Sequence, residues 1–186
     1  GADDGTVWRR RIVEGCDRFI DIAGENYTQS ARRIASDGID VLVSLSGLGG
    51  GARNEIFALR PAPVQIQWLG YPGSTGADFF DYIVADDTVL PPFMEGQFSE
   101  AVARMDRSYQ VNDNRQEIEA EPQSRAGHGL PENAFVYCAF NQSYKIDRTL
   151  FACWMRLLAA VPGSVLWLLT PKGDAQKNLK AATHAA

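Results

Sequence analysis

Residues 41–52 read VLVSLSGLGGGA, and this stretch decides the fold class. Its first five residues are β-branched or leucine apart from one serine, which is typical of a strand covered on both faces in a parallel sheet. Glycines come next, and residues 52–59 then have the spacing of a helix that stops before Pro61. Another strand is predicted at residues 64–69. A strand, a crossover helix and a strand make a βαβ unit, so the sequence predicts an α/β fold with a parallel sheet.

Outward from this stretch, helices and strands alternate along the chain. The hydrophobic spacing predicts helices at residues 6–16, 27–36 and 148–161, and strands at residues 18–22, 82–85, 135–140 and 165–169. One further short element is expected at residues 99–105. Residues 112–125 interrupt the pattern, because they contain almost no apolar side chain, show no period and include a proline. We interpret this segment as a linker between two lobes.

The composition excludes several classes of protein. Hydrophobic residues make up 45% of the 186 residues and charged residues 22%, as in folded globular proteins. The net charge of -5 argues against nucleic-acid binding, and no apolar run approaches the ~20 residues that cross a membrane. The three cysteines (Cys16, Cys138 and Cys153) form no CxxC pair, so buried thiols in a reducing compartment are expected. We therefore predict a cytoplasmic protein with neither nucleic-acid nor membrane partners.

Histidine is scarce in this chain, which limits the available chemistry. Only His128 and His184 are present, and histidine is the commonest general base and metal ligand. A Ser/His/Asp triad or a zinc site is therefore disfavoured.

The chain opens at Gly1 rather than Met and stops inside a helix-like run, so we expect it to be an excerpt from a longer protein.

The glycine loop after the first quoted strand formally matches a dinucleotide-binding fingerprint. Gly47, Gly49 and Ala52 occupy the positions of G-x-G-x-x-A, which would let backbone amides approach a pyrophosphate. A carboxylate for the ribose is expected at the end of the next strand, where residues 68–70 read WLG instead. A nicotinamide-dependent Rossmann enzyme is the alternative hypothesis, and a tight turn would need only one or two of these glycines.

Two further loops follow predicted strands, where ligands bind in parallel sheets. Residues 69–76 combine three glycines and a proline with three hydroxyl side chains, which suits either a ligand pocket or a packed turn. In residues 141–147, Lys145 could contact a phosphate or could stand beside a helix whose N-cap is Asp147. The residue types alone leave both choices open.

Four longer stretches carry a resemblance to a known family. Residues 51–65, 68–73, 140–147 and 162–169 read GARNEIFALRPAPVQ, WLGYPG, FNQSYKID and PGSVLWLL. In this order they resemble the catalytic region of the SPINDLY-type protein O-GlcNAc transferases. The similarity spans nearly the whole chain and is far more specific than any short motif.

The resemblance implies a GT-B glycosyltransferase with two Rossmann-like lobes. Residues 1–111 would be the later part of the first catalytic lobe, residues 112–130 the linker, and residues 131–186 the start of the second, nucleotide-binding lobe. The implied reaction moves N-acetylglucosamine from UDP-N-acetylglucosamine (UDP-GlcNAc) to Ser or Thr hydroxyls of acceptor proteins, inverting the sugar and using neither a metal nor another cofactor. Tetratricopeptide repeats are expected upstream in the same polypeptide.

The resemblance also implies roles for single residues in binding the donor. Lys145 matches the lysine that contacts the donor diphosphate, where a cation would stabilise the charge of the departing UDP. Gln142 matches its neighbour in the same motif. Leu69, Gly70 and Pro72 match a loop that lines the sugar pocket.

Two more positions, Leu48 and Arg53, match residues that face the cleft, although relatives commonly carry an aromatic residue at the position of Leu48. The general base matches no residue of this chain, so residues 1–186 alone are expected to be inactive. A pseudoenzyme or a non-catalytic scaffold of the same fold would share all of these residues, and it remains an alternative to a transferase.

Overall fold

The computed structural model describes residues 3–170 and 173–184, which form two compact units. The first unit comprises Gly1–Arg115 and the second Gln116–Ala186. The division falls inside the segment interpreted as a linker, residues 112–130.

The first unit is built on a four-stranded parallel sheet. The strands follow one another across the sheet in sequence order, and each pairs in parallel with its neighbour. The first two strands are joined by a helix, as the predicted βαβ unit requires. In chain order the elements are α1 (Val7–Glu14), α2 (Tyr27–Ser36), β1 (Val41–Ser44), α3 (Asn54–Ala58), β2 (Val64–Gln67), β3 (Tyr82–Ala85), a 3-10 helix (Pro92–Gln97) and β4 (Ala101–Arg104).

Local signals explain where α2 begins and ends. A capping box opens the helix: the Asn26 side chain accepts a hydrogen bond from the backbone N–H of Gln29, and the Gln29 side chain accepts one from the backbone N–H of Asn26, both at 2.9 Å. The helix stops at Ser36, before the Asp37–Gly38 turn. The observed bounds are those predicted from the sequence.

The core of the first unit lies on one face of the sheet. Ala31 of α2 and Ile56 and Phe57 of α3 form a buried cluster with Phe80, and Leu42 of β1 packs against it. On the opposite face of β1, Val41 and Val43 are 49% and 41% exposed. The expectation that β1 is covered on both faces is therefore wrong for this chain, because its helices α2 and α3 pack on the face that carries Leu42.

The strand predicted at residues 18–22 does not form. These residues are irregular, and side chains rather than a strand ladder hold them. The guanidinium of Arg9 lies 4.6 Å from the centre of the Phe19 ring, and that of Arg53 donates to the carbonyl of Ile22 at 2.8 Å. An apolar run of this length fits a strand by composition, but here it serves as an anchored loop.

The second unit contains a second βαβ arrangement. Its elements are a 3-10 helix (Ala126–His128), β5 (Val136–Ala139), a 3-10 helix (Ser143–Lys145), α4 (Arg148–Ala160), β6 (Val165–Leu168) and α5 (Asp174–His184). β5 and β6 are parallel neighbours. The ring of Trp167 on β6 lies 5.3 Å from the ring of His128 and 5.0 Å from that of Phe140, so His128 packs against an aromatic side chain. The side chain of the other histidine, His184, lies outside the described residues.

The cysteine prediction is wrong in one respect. Cys16, Cys138 and Cys153 are free thiols, as expected, but all three are exposed rather than buried. Cys16 lies just beyond α1, and the other two occupy outward positions of β5 and α4.

In the part of the chain that the structure describes, no helix is long and apolar enough to cross a membrane, and no group of three or more His, Cys, Asp or Glu side chains could hold a metal ion.

Candidate functional site

Two loops leave the sheet of the first unit side by side. Residues 45–53 follow β1 and residues 68–81 follow β2, and because these strands are parallel neighbours their carboxyl ends lie at the same edge. The backbone N–H of Gly70 donates to the carbonyl oxygen of Leu45 at 3.1 Å. The two loops singled out in the sequence are therefore in direct contact.

Glycine is required where these loops meet. A Cβ atom at Gly70 would lie 2.3 Å from the carbonyl oxygen of Leu45, and one at Gly47 would lie 2.8 Å from the Cβ of Tyr71. No side chain fits at such distances, and Gly47 also has a φ of +54°, which glycine adopts without strain. Packing between the loops thus accounts for the first glycine of the apparent dinucleotide fingerprint.

Gln67, the last residue of β2, fixes the shape of the loop that follows it. Its side chain is fully buried, and its Nε2 donates to the carbonyls of Tyr71 at 2.6 Å and Gly73 at 2.8 Å. Sequence reasoning missed this residue, because a glutamine is usually found at the surface. The register indicates its position: Gln67 pairs with the buried Ser44 of β1, and paired residues point to the same face.

The predicted sugar-pocket residues lie on this braced loop. Leu69 has a φ of +78°, in the left-handed region, which costs about 1–3 kcal/mol and persists only when surrounding contacts enforce it. Pro72 is exposed, whereas Leu69 is half-buried. Such enforced strain is often found at functional sites, so the conformation of Leu69 is compatible with the predicted role of the loop.

The two predicted cleft residues of the first unit have different surroundings. Leu48 is 55% exposed at the tip of the glycine loop. The guanidinium of Arg53, in contrast, donates to the carbonyls of Ile22 at 2.8 Å and Glu25 at 2.6 Å. Arg53 thus fastens the loop before α2 to the start of α3. The neighbouring Asn54, which sequence reasoning did not select, donates from Nδ2 to the carbonyl of Gly47 at 2.9 Å and so steadies the glycine loop.

In the second unit, Lys145 and Gln142 lie on the short segment between β5 and α4. The backbone N–H of Lys145 donates to the carbonyl of Gln142 at 3.0 Å, and both side chains are exposed. Asp147 caps α4, because its carboxylate accepts from the backbone N–H of Leu150 at 2.8 Å. Within residues 3–170 and 173–184, the Lys145 ammonium makes neither an ion pair nor a hydrogen bond. The structure thus shows the N-cap at Asp147 that the sequence allowed, and Lys145 stands beside it without a carboxylate partner among the described residues.

Comparisons with known proteins identify relatives along the whole chain. The profile of glycosyl transferase family 41 matches residues 1–121 and 119–186. A probable UDP-N-acetylglucosamine–peptide N-acetylglucosaminyltransferase of Arabidopsis thaliana, SEC, is 39% identical over all of this chain and 19% of its own length. The Arabidopsis protein of the same description called SPINDLY is 33% identical over 86% of this chain and 17% of its own length. The chain thus spans about a fifth of the curated relatives it matches.

A solved structure supports the same assignment. A mutant of the O-GlcNAc transferase of Thermobaculum terrenum superposes with a TM-score of 0.82 and 27% identity, over 97% of this chain and 34% of that protein. This similarity confirms the predicted α/β fold class of the GT-B type. Because the family profile covers the chain from end to end, the chain belongs to glycosyl transferase family 41.

Proposed function

We propose that the complete polypeptide containing this chain transfers N-acetylglucosamine from UDP-GlcNAc to Ser or Thr hydroxyls of acceptor proteins. Family membership and the names of relatives along the whole chain support the proposal. Since the chain spans about a fifth of those relatives, the activity is proposed for the complete polypeptide rather than for residues 1–186. We predict that residues 1–186 alone are inactive.

The observation that carries the proposal is the uncompensated cation of Lys145 after β5. In the transfer, the acceptor hydroxyl forms a bond to C1 of the sugar, the bond between C1 and the phosphate oxygen breaks, and UDP leaves with additional negative charge. A cation held near that oxygen stabilises the transition state more than it stabilises the bound donor, and this difference accelerates the reaction. Lys145 has no competing carboxylate among the described residues, so its full charge is available for this role.

The first unit would supply the shape of the sugar pocket. Gly70 and Pro72 belong to a loop that Gln67 braces from inside the sheet, and such preorganisation lowers the cost of orienting a ligand. The proton of the acceptor hydroxyl needs an acceptor, which we place outside this chain. Metal independence, upstream tetratricopeptide repeats and a cytoplasmic location are further parts of the proposal.

The nicotinamide alternative makes a different binding prediction. The contact between Gly47 and Tyr71 accounts for the first glycine of the fingerprint without a dinucleotide. Isothermal titration of the complete protein with UDP and with NADH separates the two hypotheses: UDP is expected to bind, whereas tight binding of NADH without UDP binding would favour the alternative.

A transfer assay tests the activity itself. The complete protein is incubated with radiolabelled UDP-GlcNAc and a Ser/Thr-rich peptide, and the label on the peptide is measured together with UDP release. The proposal expects both products in equal amounts, with inhibition by added UDP. UDP binding without transfer would instead indicate the non-catalytic scaffold.

A further inference from the structure

A buried carboxylate stands at the start of β4. Glu100 directly precedes the strand and is 4% exposed. None of the ion pairs of the described residues involves it. A buried ionised carboxylate is costly unless hydrogen-bond donors surround it, so its partners show why it is tolerated.

The partners of Glu100 are hydroxyl and amide groups of two segments. Its carboxylate accepts from the hydroxyl of Ser74 at 2.7 Å, from the backbone N–H of Thr75 at 2.8 Å and from the hydroxyl of Thr75 at 2.5 Å. The hydroxyl of Ser99 adds a contact at 3.1 Å. Burial raises the pKa of Glu100, but the hydrogen bonds from Thr75 and Ser74 outweigh that effect, so the pKa lies below its ordinary value. Glu100 is therefore ionised at neutral pH and can accept from all four donors.

These contacts extend into the loop that follows β2. The hydroxyl of Ser74 accepts from the backbone N–H of Gly76 at 3.0 Å, and that of Thr75 accepts from the backbone N–H of Ala77 at 3.3 Å. Glu100 thus fixes both hydroxyls, and each hydroxyl fixes the backbone two residues further on. Residues 74–77 are thus organised around one carboxylate.

The middle of the loop is consequently held from inside the fold by two buried side chains. Gln67 holds the carbonyls of Tyr71 and Gly73, and Glu100 holds the next two residues. Leu69 lies in the loop after β2, before the residues that these two side chains hold. Its left-handed backbone conformation persists only when surrounding contacts enforce it. Gln67 and Glu100 are both buried, so they act on the loop without being available to a ligand in solution.

We propose that Glu100 is a positioning residue that holds residues 69–77 in the conformation that receives the donor sugar. The proposal rests on the proposed function for its ligand, but the bracing of the loop is a property of the chain itself. Removal of Glu100 should therefore loosen this loop and weaken donor use, while affinity for UDP, which lacks the sugar, stays near normal.

The test uses a graded pair of substitutions in the complete protein. Glu100→Ala removes all four contacts. Glu100→Gln keeps the volume and one acceptor oxygen for Thr75, while its amide can donate to the hydroxyl of Ser74. Asp81→Asn is the matched control, because the carboxylate of Asp81 also accepts from a backbone N–H, that of Gln65 at 2.7 Å. Its other partner is the guanidinium of Arg60, so its contacts go to Gln65 and Arg60 rather than to residues 69–77.

We expect Glu100→Ala to lower kcat/KM for UDP-GlcNAc about 10- to 100-fold. The kcat/KM of Glu100→Gln should lie between those of Glu100→Ala and wild type, and the kcat/KM of Asp81→Asn should stay near the wild-type value. The inhibition constant for UDP should change less than about twofold in all three. Amide hydrogen exchange without ligand should be at least about tenfold faster at residues 70–77 in Glu100→Ala but unchanged there in the control. If Glu100→Ala fails to fold, Thr75→Val removes one hydroxyl donor at nearly constant volume and should show the same pattern, weaker in size.

Each result decides a different claim. Unchanged exchange at residues 70–77, or equal losses for UDP and UDP-GlcNAc, would overturn the positioning role. A lower melting temperature with normal donor kinetics would reduce Glu100 to a purely structural residue. A wild-type protein that does not bind UDP-GlcNAc would overturn the proposed function and the sugar-specific part of this proposal together, and the exchange measurement would still decide whether Glu100 holds the loop.

Discussion

Replacing Gly70 with alanine tests the contact on which the candidate site of the first unit is built. The added Cβ would lie 2.3 Å from the carbonyl oxygen of Leu45, so the end of β1 or the loop after β2 must move by about 1 Å to restore normal contact. Overpacking of this kind costs about 1–3 kcal/mol, and loss of the hydrogen bond from Gly70 to Leu45 adds about 0.5–1.5 kcal/mol. We expect the first unit to lose about 2–4 kcal/mol of unfolding free energy.

Gly50→Ala is the matched control for this experiment, since a Cβ at Gly50 meets no heavy atom within 4 Å. Urea unfolding of the complete protein, followed by fluorescence, measures both variants beside wild type. Donor titrations on the same samples should show weaker UDP-GlcNAc binding for Gly70→Ala with nearly normal UDP binding. A Gly70→Ala variant as stable as Gly50→Ala would refute the close approach of the two loops.

Three more predictions concern other parts of the chain. Asp147→Ala should destabilise the second unit by about 1 kcal/mol, because the backbone N–H of Leu150 loses its cap; urea unfolding measures the loss, which Asp147→Asn should largely avoid. Because the pKa of Glu100 is lower in the folded than in the unfolded state, its stabilising contribution is complete above about pH 5 and is lost as the pH falls through the folded value. Urea unfolding between pH 7 and pH 3 should show this decline, and it should be smaller in Glu100→Gln. Residues 1–186 alone should show no transfer in the radiolabel assay, and robust transfer would mean that the base lies within this chain.

Elements with an unambiguous pattern could be predicted from the sequence. The strand at residues 82–85 and the helix at residues 27–36 have their predicted bounds, because β-branched residues and a capping box mark them. The strand expected at residues 18–22 is wrong, since contacts from distant side chains, including the guanidinium of Arg53 on the carbonyl of Ile22, decide its conformation. No local pattern records such contacts.

The candidate site also contains parts that the sequence predicts and parts that it does not. The loops at residues 47–52, 69–76 and 141–147 could be identified, because they follow strands of a parallel sheet. The side chains that brace the loop at residues 69–76 could not, because Gln67 and Glu100 belong to residue types that are usually exposed. Only the strand register and the tertiary fold show that both point inward.

The most direct test of the proposed function is the turnover of Lys145→Ala in the complete protein. Lys177→Ala is the control, since Lys177 is another exposed lysine of the second unit, on α5. Transfer from UDP-GlcNAc is measured under saturating donor, and unfolding is followed on the same samples. We predict that Lys145→Ala lowers kcat by about a hundredfold or more, while its free energy of unfolding stays normal. Lys145→Arg should recover only part of the lost kcat, and Lys177→Ala should keep a normal kcat. Near-normal turnover of Lys145→Ala would contradict the assignment of this cation to the departing diphosphate.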